Sequence, residues 1–126
     1  MILDSSAVVA ILRGEPESDD FRRLIQLAGA VAISAATLVE VSMVVGPERQ
    51  AVLDRFLAAA GATIVPVDDE QAAVARRAAI AYRRGSGSPA KLNFGDCFSY
   101  ALASVTGRPL LCKGGDFVHT DVELAS

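Results

Sequence analysis

The stretch AVAISAATLVEVSMVVG, residues 30–46, contains both halves of the unit from which this chain is built. AVAIS, at 30–34, is a short apolar run with the pattern of a buried strand. Ser34 is a good N-cap, so a helix is expected from there until Gly46-Pro47 ends it. One glutamate, Glu40, stands in that helix amid Leu38, Val39, Val41, Met43, Val44 and Val45. An unpaired carboxylate deprived of water is costly, and a chain tolerates it only if something compensates. No basic residue lies within one helical turn of Glu40, so its partner is not local.

The same unit recurs outward from this stretch. MIL at 1–3 is a strand ended by Asp4, with Ser5 and Ser6 as N-caps for a helix to about Leu12. GEPESDDF restarts a helix that runs to about Ala28, with Pro16 in its first turn and Glu15, Glu17, Asp19 and Asp20 at its positive end. A helix at 48–60 closes on Gly61, and TIVPV at 63–67 is the third strand. Asp68 or Asp69 caps an alanine-rich helix to about Arg84, and GSGSP at 85–89 is a loop. Gly95-Asp96 starts the helix CFSYALASVTG, PLLC at 109–112 is the fourth strand, and the tail adds an edge strand near Val122–Leu124. Strands alternating with helices imply an α/β fold, a mostly parallel sheet with helices on both faces.

The chain has 126 residues, 52% of them hydrophobic, enough for one domain over residues 1–126 with one proper core. Tryptophan is absent and aromatics are 6%, which leaves little provision for an aromatic binding platform. No apolar run reaches the ~18 residues of a membrane span, and Asp4 interrupts any signal peptide, so a cytoplasmic protein is expected. Cys97 and Cys112 then read as buried small hydrophobes rather than a disulfide or metal pair. The net charge of −3 argues against nonspecific wrapping of nucleic acid. Its distribution is uneven: between Gln71 and Gly95 there is no acid, while Arg76, Arg77, Arg83, Arg84 and Lys91 are all basic. That run is either a solvated helix face or, beside an acidic catalytic site, a contact for a phosphate backbone.

In parallel α/β folds, ligands sit beyond the carboxyl ends of the strands. Asp4 follows the first strand and Asp116 follows the fourth, while Glu40 and Asp96 lie on helices that can lean over the same edge. Asp4 and Asp96 also read as helix caps, and Asp116 as a residue of a glycine turn. A divalent cation gives all four one purpose. Mg²⁺ or Mn²⁺ prefers carboxylate oxygens and water, whereas the acids alone would repel and raise one another's pKa. Such a site can bind a phosphodiester and orient a water. Ser5 and Ser6 suit capping or support of a carboxylate. Lys113 is either a loop lysine or a contact for the scissile phosphate. His119 stands outside the catalytic set, and Asp121 reads as a turn residue rather than a fifth acid.

MILDSSAVVAIL, ATLVEVSMVV, KLNFGDCFSYALA and PLLCKGGDFVHTDVE together resemble the four acidic motifs of PIN-domain ribonucleases, and more narrowly those of VapC toxins from type II toxin–antitoxin pairs. The resemblance runs from end to end of the chain. It implies a three-layer α/β/α sandwich around a sheet of four to five strands. It also implies a Mg²⁺- or Mn²⁺-dependent endoribonuclease acting on structured RNA such as tRNA or rRNA, homodimerisation, and inhibition by a cognate VapB antitoxin that places an arginine among the carboxylates. By position the acids are Asp4, Glu40, Asp96 and Asp116. Gly115 departs from the acid or amide common at that place and leaves one or two metals open; Cys112 replaces an aromatic residue.

On this reading water attacks an RNA phosphodiester in line, Glu40, Asp96 and Asp4 hold the metal, and Asp116 completes or adjusts the site. Arg83, Arg84 and Lys91 guide the RNA, and the helices at 35–60 offer a dimer face. Two other classes compete. A phosphoacceptor receiver domain needs paired acids after the first strand and a use for the third, and it gives Glu40 no role. An inactive PIN-like binding module would have lost acids that this chain retains.

Overall fold

Within each strand, neighbouring residues point to opposite faces, and the buried residues follow that alternation. The computed structural model describes residues 1–126. Its strands are β1 (Ile2–Leu3), β2 (Ala32–Ser34), β3 (Thr63–Val65) and β4 (Leu110–Leu111). The helices are α1 (Ser5–Leu12), α2 (Ser18–Leu27), α3 (Ala35–Val45), α4 (Gln50–Ala60), α5 (Asp69–Tyr82) and α6 (Phe94–Thr106). Leu3, Ile33 and Leu111 turn to one face, where they pack with Val8 and Ile11 of α1, Ile25 of α2 and Leu53 and Phe56 of α4. Ile2, Ala32 and Leu110 turn to the other, against Ala78 of α5 and Tyr100, Leu102 and Ala103 of α6. The result is the expected sandwich of helices, sheet and helices.

The four strands lie in the order β3-β2-β1-β4, and every pairing is parallel. The expected tail strand is reduced to one parallel pairing, Leu124 with Leu110. The chain builds outward from β1 to β2 and β3, then crosses back to place β4 on the other side of β1. That reversal opens a crevice at the carboxyl ends of β1 and β4, where open parallel sheets bind their ligands.

Several boundaries differ from the sequence reading, each for a local reason. Pro16 lies before α2 rather than in its first turn, because the Ser18 N–H closes a turn onto the Glu15 carbonyl. The expected helix from residue 48 begins as a 3₁₀ turn, Pro47–Arg49, before α4. β3 stops at Val65, since Pro66 has no N–H for the ladder. α5 ends at Tyr82, two residues early, where Arg83 turns extended to pair with Leu92. α6 begins at Phe94, and Asn93 is its N-cap. α3 is less buried than its composition implies: Thr37 and Val41 face inward, whereas Val39, Met43 and Val44 are exposed. A single helix stripe cannot bury that many apolar residues. No helix is long and apolar enough to cross a membrane.

Candidate active site

Asp4 leaves β1 directly into α1, and its reading as a helix cap holds. Its side chain is the N-cap of α1: Oδ2 accepts the Ser6 N–H at 3.0 Å and the Ser6 hydroxyl at 2.6 Å. Asp4, not Ser5 or Ser6, is therefore the cap. Its other oxygen, Oδ1, is buried with no partner, in a residue only 1% exposed. Ser6 does a second job, because its Oγ accepts the Lys113 N–H at 2.9 Å and ties the loop after β4 to α1.

Asp96 occupies the third position of α6 rather than starting it. Asn93 Oδ1 accepts the Asp96 N–H at 2.9 Å, and Asp96 Oδ2 accepts the Asn93 N–H at 3.0 Å, a reciprocal capping box. The N-x-x-D spacing in NFGD was the available signal for it. Asp96 is buried, and its carboxyl is raised to about 7. Burial is the main cause; the Asn93 N–H opposes it, and the negative charges of Asp4 and Asp116 add to it. Asp4, Asp96 and Asp116 thus lie within one another's fields at the crevice between β1 and β4. Asp116 itself is exposed at the mouth.

Glu40 reaches the same corner from α3, held against Gly95, the residue before Asp96. A methyl group on Gly95 would stand 2.5 Å from Glu40 Cδ and 2.7 Å from Oε1, and closer still to Oε2. Oε1 is buried without a hydrogen-bond partner. No salt bridge reaches Glu40, Asp4, Asp96 or Asp116; the ion pairs are Arg23–Asp20, Lys113–Glu15 and Lys113–Glu17. The compensating charge that the sequence called for is not supplied by this chain's lysines or arginines.

Cys112 also borders the acids: burial first, then the charges of Asp4, Asp96 and Asp116, push its thiol up to about 12. It stays protonated at neutral pH and adds no negative charge. Cys97 and Cys112 are both free. Asp121 accepts a hydrogen bond from the Tyr100 hydroxyl, His119 is exposed, and neither is drawn into the acid cluster.

Lys113 differs from the expectation of a free phosphate contact. Its ammonium meets Glu15 at 2.8 Å and Glu17 at 3.1 Å, carboxylates about a hundred residues away that no local pattern could pair with it. Arg83, Arg84 and Lys91 are exposed and make no ion pair. They flank the 85–89 loop that leads into α6 and Asp96.

A family model described as the PIN domain matches residues 1–123. The ribonuclease VapC42 of Mycobacterium tuberculosis is 43% identical over 129 aligned positions, spanning 99% of this chain and 98% of that protein. The chain belongs to the VapC ribonucleases of the PIN-domain family. Ribonuclease VapC28 of the same organism is equally similar, 43% identical over 99% of this chain and 97% of its own. Among solved structures, VapBC2 from Rickettsia felis, bound to a DNA fragment from its promoter, superposes with a TM-score of 0.73 at 18% identity, covering 98% of this chain and 95% of that one. The last likeness concerns the fold; the relatives identify this VapC-type chain as an RNA-cleaving hydrolase.

No three acidic, histidine or cysteine side chains converge into a ready-made metal cage. Mg²⁺ does not require one, since it keeps several waters and is held through one or two carboxylates. The residues fit such an ion: two buried carboxylate oxygens, Asp4 Oδ1 and Glu40 Oε1, lack any partner, and the donor set is all oxygen.

Asp96 also predicts a pH effect on the metal-free protein. The folded chain holds this proton more tightly than an unfolded one, where the value is the ordinary 3.8, so its contribution to stability is fully present below that pH and is lost as pH rises to about 7. Asp96→Asn should therefore melt above the parent at pH 8 in EDTA, with the gap closing toward pH 4. A gap independent of pH in thermal melts contradicts the assignment.

Proposed function

We propose that this VapC-type ribonuclease hydrolyses RNA phosphodiester bonds at Asp4, Glu40, Asp96 and Asp116, with Mg²⁺ or Mn²⁺ held directly by one or two of these carboxylates and through water by the rest. The observation that carries the reading is the pair of buried, unpartnered oxygens, Asp4 Oδ1 and Glu40 Oε1, in a corner that no lysine or arginine of the chain enters. A bound divalent ion supplies positive charge for the phosphoryl oxygens and lowers the pKa of water. The chain's own residues do the rest. Ser6 fixes Asp4 through Oδ2 and leaves Oδ1 turned to the site; Asn93 fixes Asp96 in the same way. The charges of Asp4 and Asp116 oppose ionisation of Asp96, a repulsion that a cation among them would relieve. Asp116, exposed at the mouth, is the acid best able to move with the substrate.

RNA must approach an acidic corner in a chain of net charge −3. Arg83, Arg84 and Lys91, exposed and unpaired, flank the approach and suit the phosphate backbone. Lys113, neutralised by Glu15 and Glu17, instead holds the β4 loop to the start of α2. A VapB-type antitoxin would silence the site by placing a basic side chain among the same acids. A second copy of the chain is the proposed occupant of α3, where Val39 is 60% and Met43 79% exposed.

Asp4→Asn, Glu40→Gln and Asp96→Asn should each lower RNA cleavage by about 100-fold or more, beyond the 10- to 100-fold typical of losing a supporting contact, while circular dichroism stays unchanged. Cleavage by the Glu40→Gln protein at the parent rate would refute this site. Replacing Arg83 and Arg84 together by alanine should weaken RNA binding and reduce its salt dependence by up to about two contacts' worth of slope; an unchanged slope removes them from the interface. Met43→Glu should leave a monomer in light scattering at micromolar concentration, and a dimer that survives it lies on another face.

A further inference from the structure

Gly95 is the one glycine of ten at which an added Cβ meets another group, and what it meets is the Glu40 carboxylate. Seven of the others have positive φ, which accounts for glycine at those places; Gly95 does not. It lies in the first turn of α6, where backbone geometry would accept alanine and helix propensity would favour it. The need is for space.

The two helices cannot readily move apart to relieve a side chain at this position. Thr37, one turn before Glu40 on α3, and Ser99, one turn after Asp96 on α6, share a fully buried hydrogen bond at 3.1 Å. Separating α3 from α6 would leave both hydroxyls unpaired in the interior, a penalty comparable to any other orphaned polar group. A Cβ on residue 95 therefore displaces the mobile end of Glu40, not the helices. The atoms it meets are the far end of a flexible side chain, so the carboxylate is what gives way, moving off its seat against residue 95.

We propose that Gly95 is a positioning residue: the notch left by its missing side chain seats the Glu40 carboxylate beside Asp96 and sets the affinity of the acid corner for divalent cations. This rests on the assignment of Glu40 to the site given above. The notch makes a specific demand on length, since aspartate at position 40 would withdraw the carboxylate by one methylene and clear a Cβ on residue 95.

A double-mutant cycle tests it, with Mn²⁺ alone as the titrant in calorimetry, RNA cleavage as a second readout and metal-free thermal melts as a control for folding. Gly95→Ala should melt at or above the parent temperature, bind Mn²⁺ at least tenfold more weakly and cleave RNA at least 100-fold more slowly. In the Glu40→Asp background the same substitution should change Mn²⁺ affinity by less than threefold. Parent-like Mn²⁺ affinity in folded Gly95→Ala overturns the inference, as does an equal loss in both backgrounds, which would place the effect in α6 itself. If Gly95→Ala alone fails to fold, rescue of folding in Glu40→Asp/Gly95→Ala supports the steric notch and failure of the double variant overturns it. The underlying site assignment fails separately, through full cleavage and Mn²⁺ binding by Glu40→Gln with Gly95 intact.

Discussion

The structure is organised around a deficit of positive charge at one corner. Asp4, Asp96 and Asp116 act on one another there, Glu40 presses in from α3, and no basic side chain of the protein answers them. The fold supplies partial relief only. Asp4 caps α1 and Asp96 lies in the first turn of α6, where backbone N–H groups and the helix dipole favour an anion. That help is worth about 0.3–2 kcal/mol per charge, against several kcal/mol for removing a carboxylate from water. Asp96 records the outcome: its backbone hydrogen bond lowers the pKa, burial raises it more, and the net shift is upward. Helix ends alone therefore do not hold this corner in its charged form.

The parallel sheet is what makes the corner possible. Each strand delivers its carboxyl end to the same edge, and the reversal between β1 and β4 leaves that edge uncovered. Acids from residues 4 and 116, distant in the chain, become neighbours because Leu3 pairs with Leu111 in register. The bond from Lys113 N–H to Ser6 Oγ extends the register past the end of the ladder, so that the loop bearing Asp116 starts from a fixed point on α1. Lys113 itself is held by Glu15 and Glu17, which keeps its charge off the acids while securing the loop.

Much of this was legible in the sequence because strand and helix signals are local. The alternation of apolar runs with N-cap residues gave the fold, and a lone glutamate in an apolar helix pointed to the proposed site. Asp4 and Asp96 read equally as caps and as site residues, and the capping does not compete with the proposed role: a side chain can accept an N–H at a helix start through one oxygen and offer the other elsewhere. The gaps share a cause. The ion pairs of Lys113, read as a loop lysine or a phosphate contact, were not legible because its partners lie nearly a hundred residues upstream. Which residues of α3 form its exposed apolar face, here Val39, Met43 and Val44, was not legible, because composition does not reveal how wide a stripe one helix can bury. Gly95 read only as punctuation, since the contact between residues 40 and 95 is tertiary and leaves no periodic trace.

The same deficit links activity to its control on the proposed reading. On the proposal made above, a corner with unpaired buried oxygens would take either a divalent ion or the basic side chain of an antitoxin. The two compete for one vacancy in the charge balance, so inhibition requires no distortion of the fold. The arrangement also explains why the protein keeps its own cations at a distance. An arginine that satisfied Glu40 from within would stabilise the chain and close the site permanently. On the same proposal, exposed cations such as Arg83 and Arg84 would act on RNA only within a Debye length of about 8 Å at physiological salt, drawing a phosphate backbone to the rim while leaving the acids unpaired.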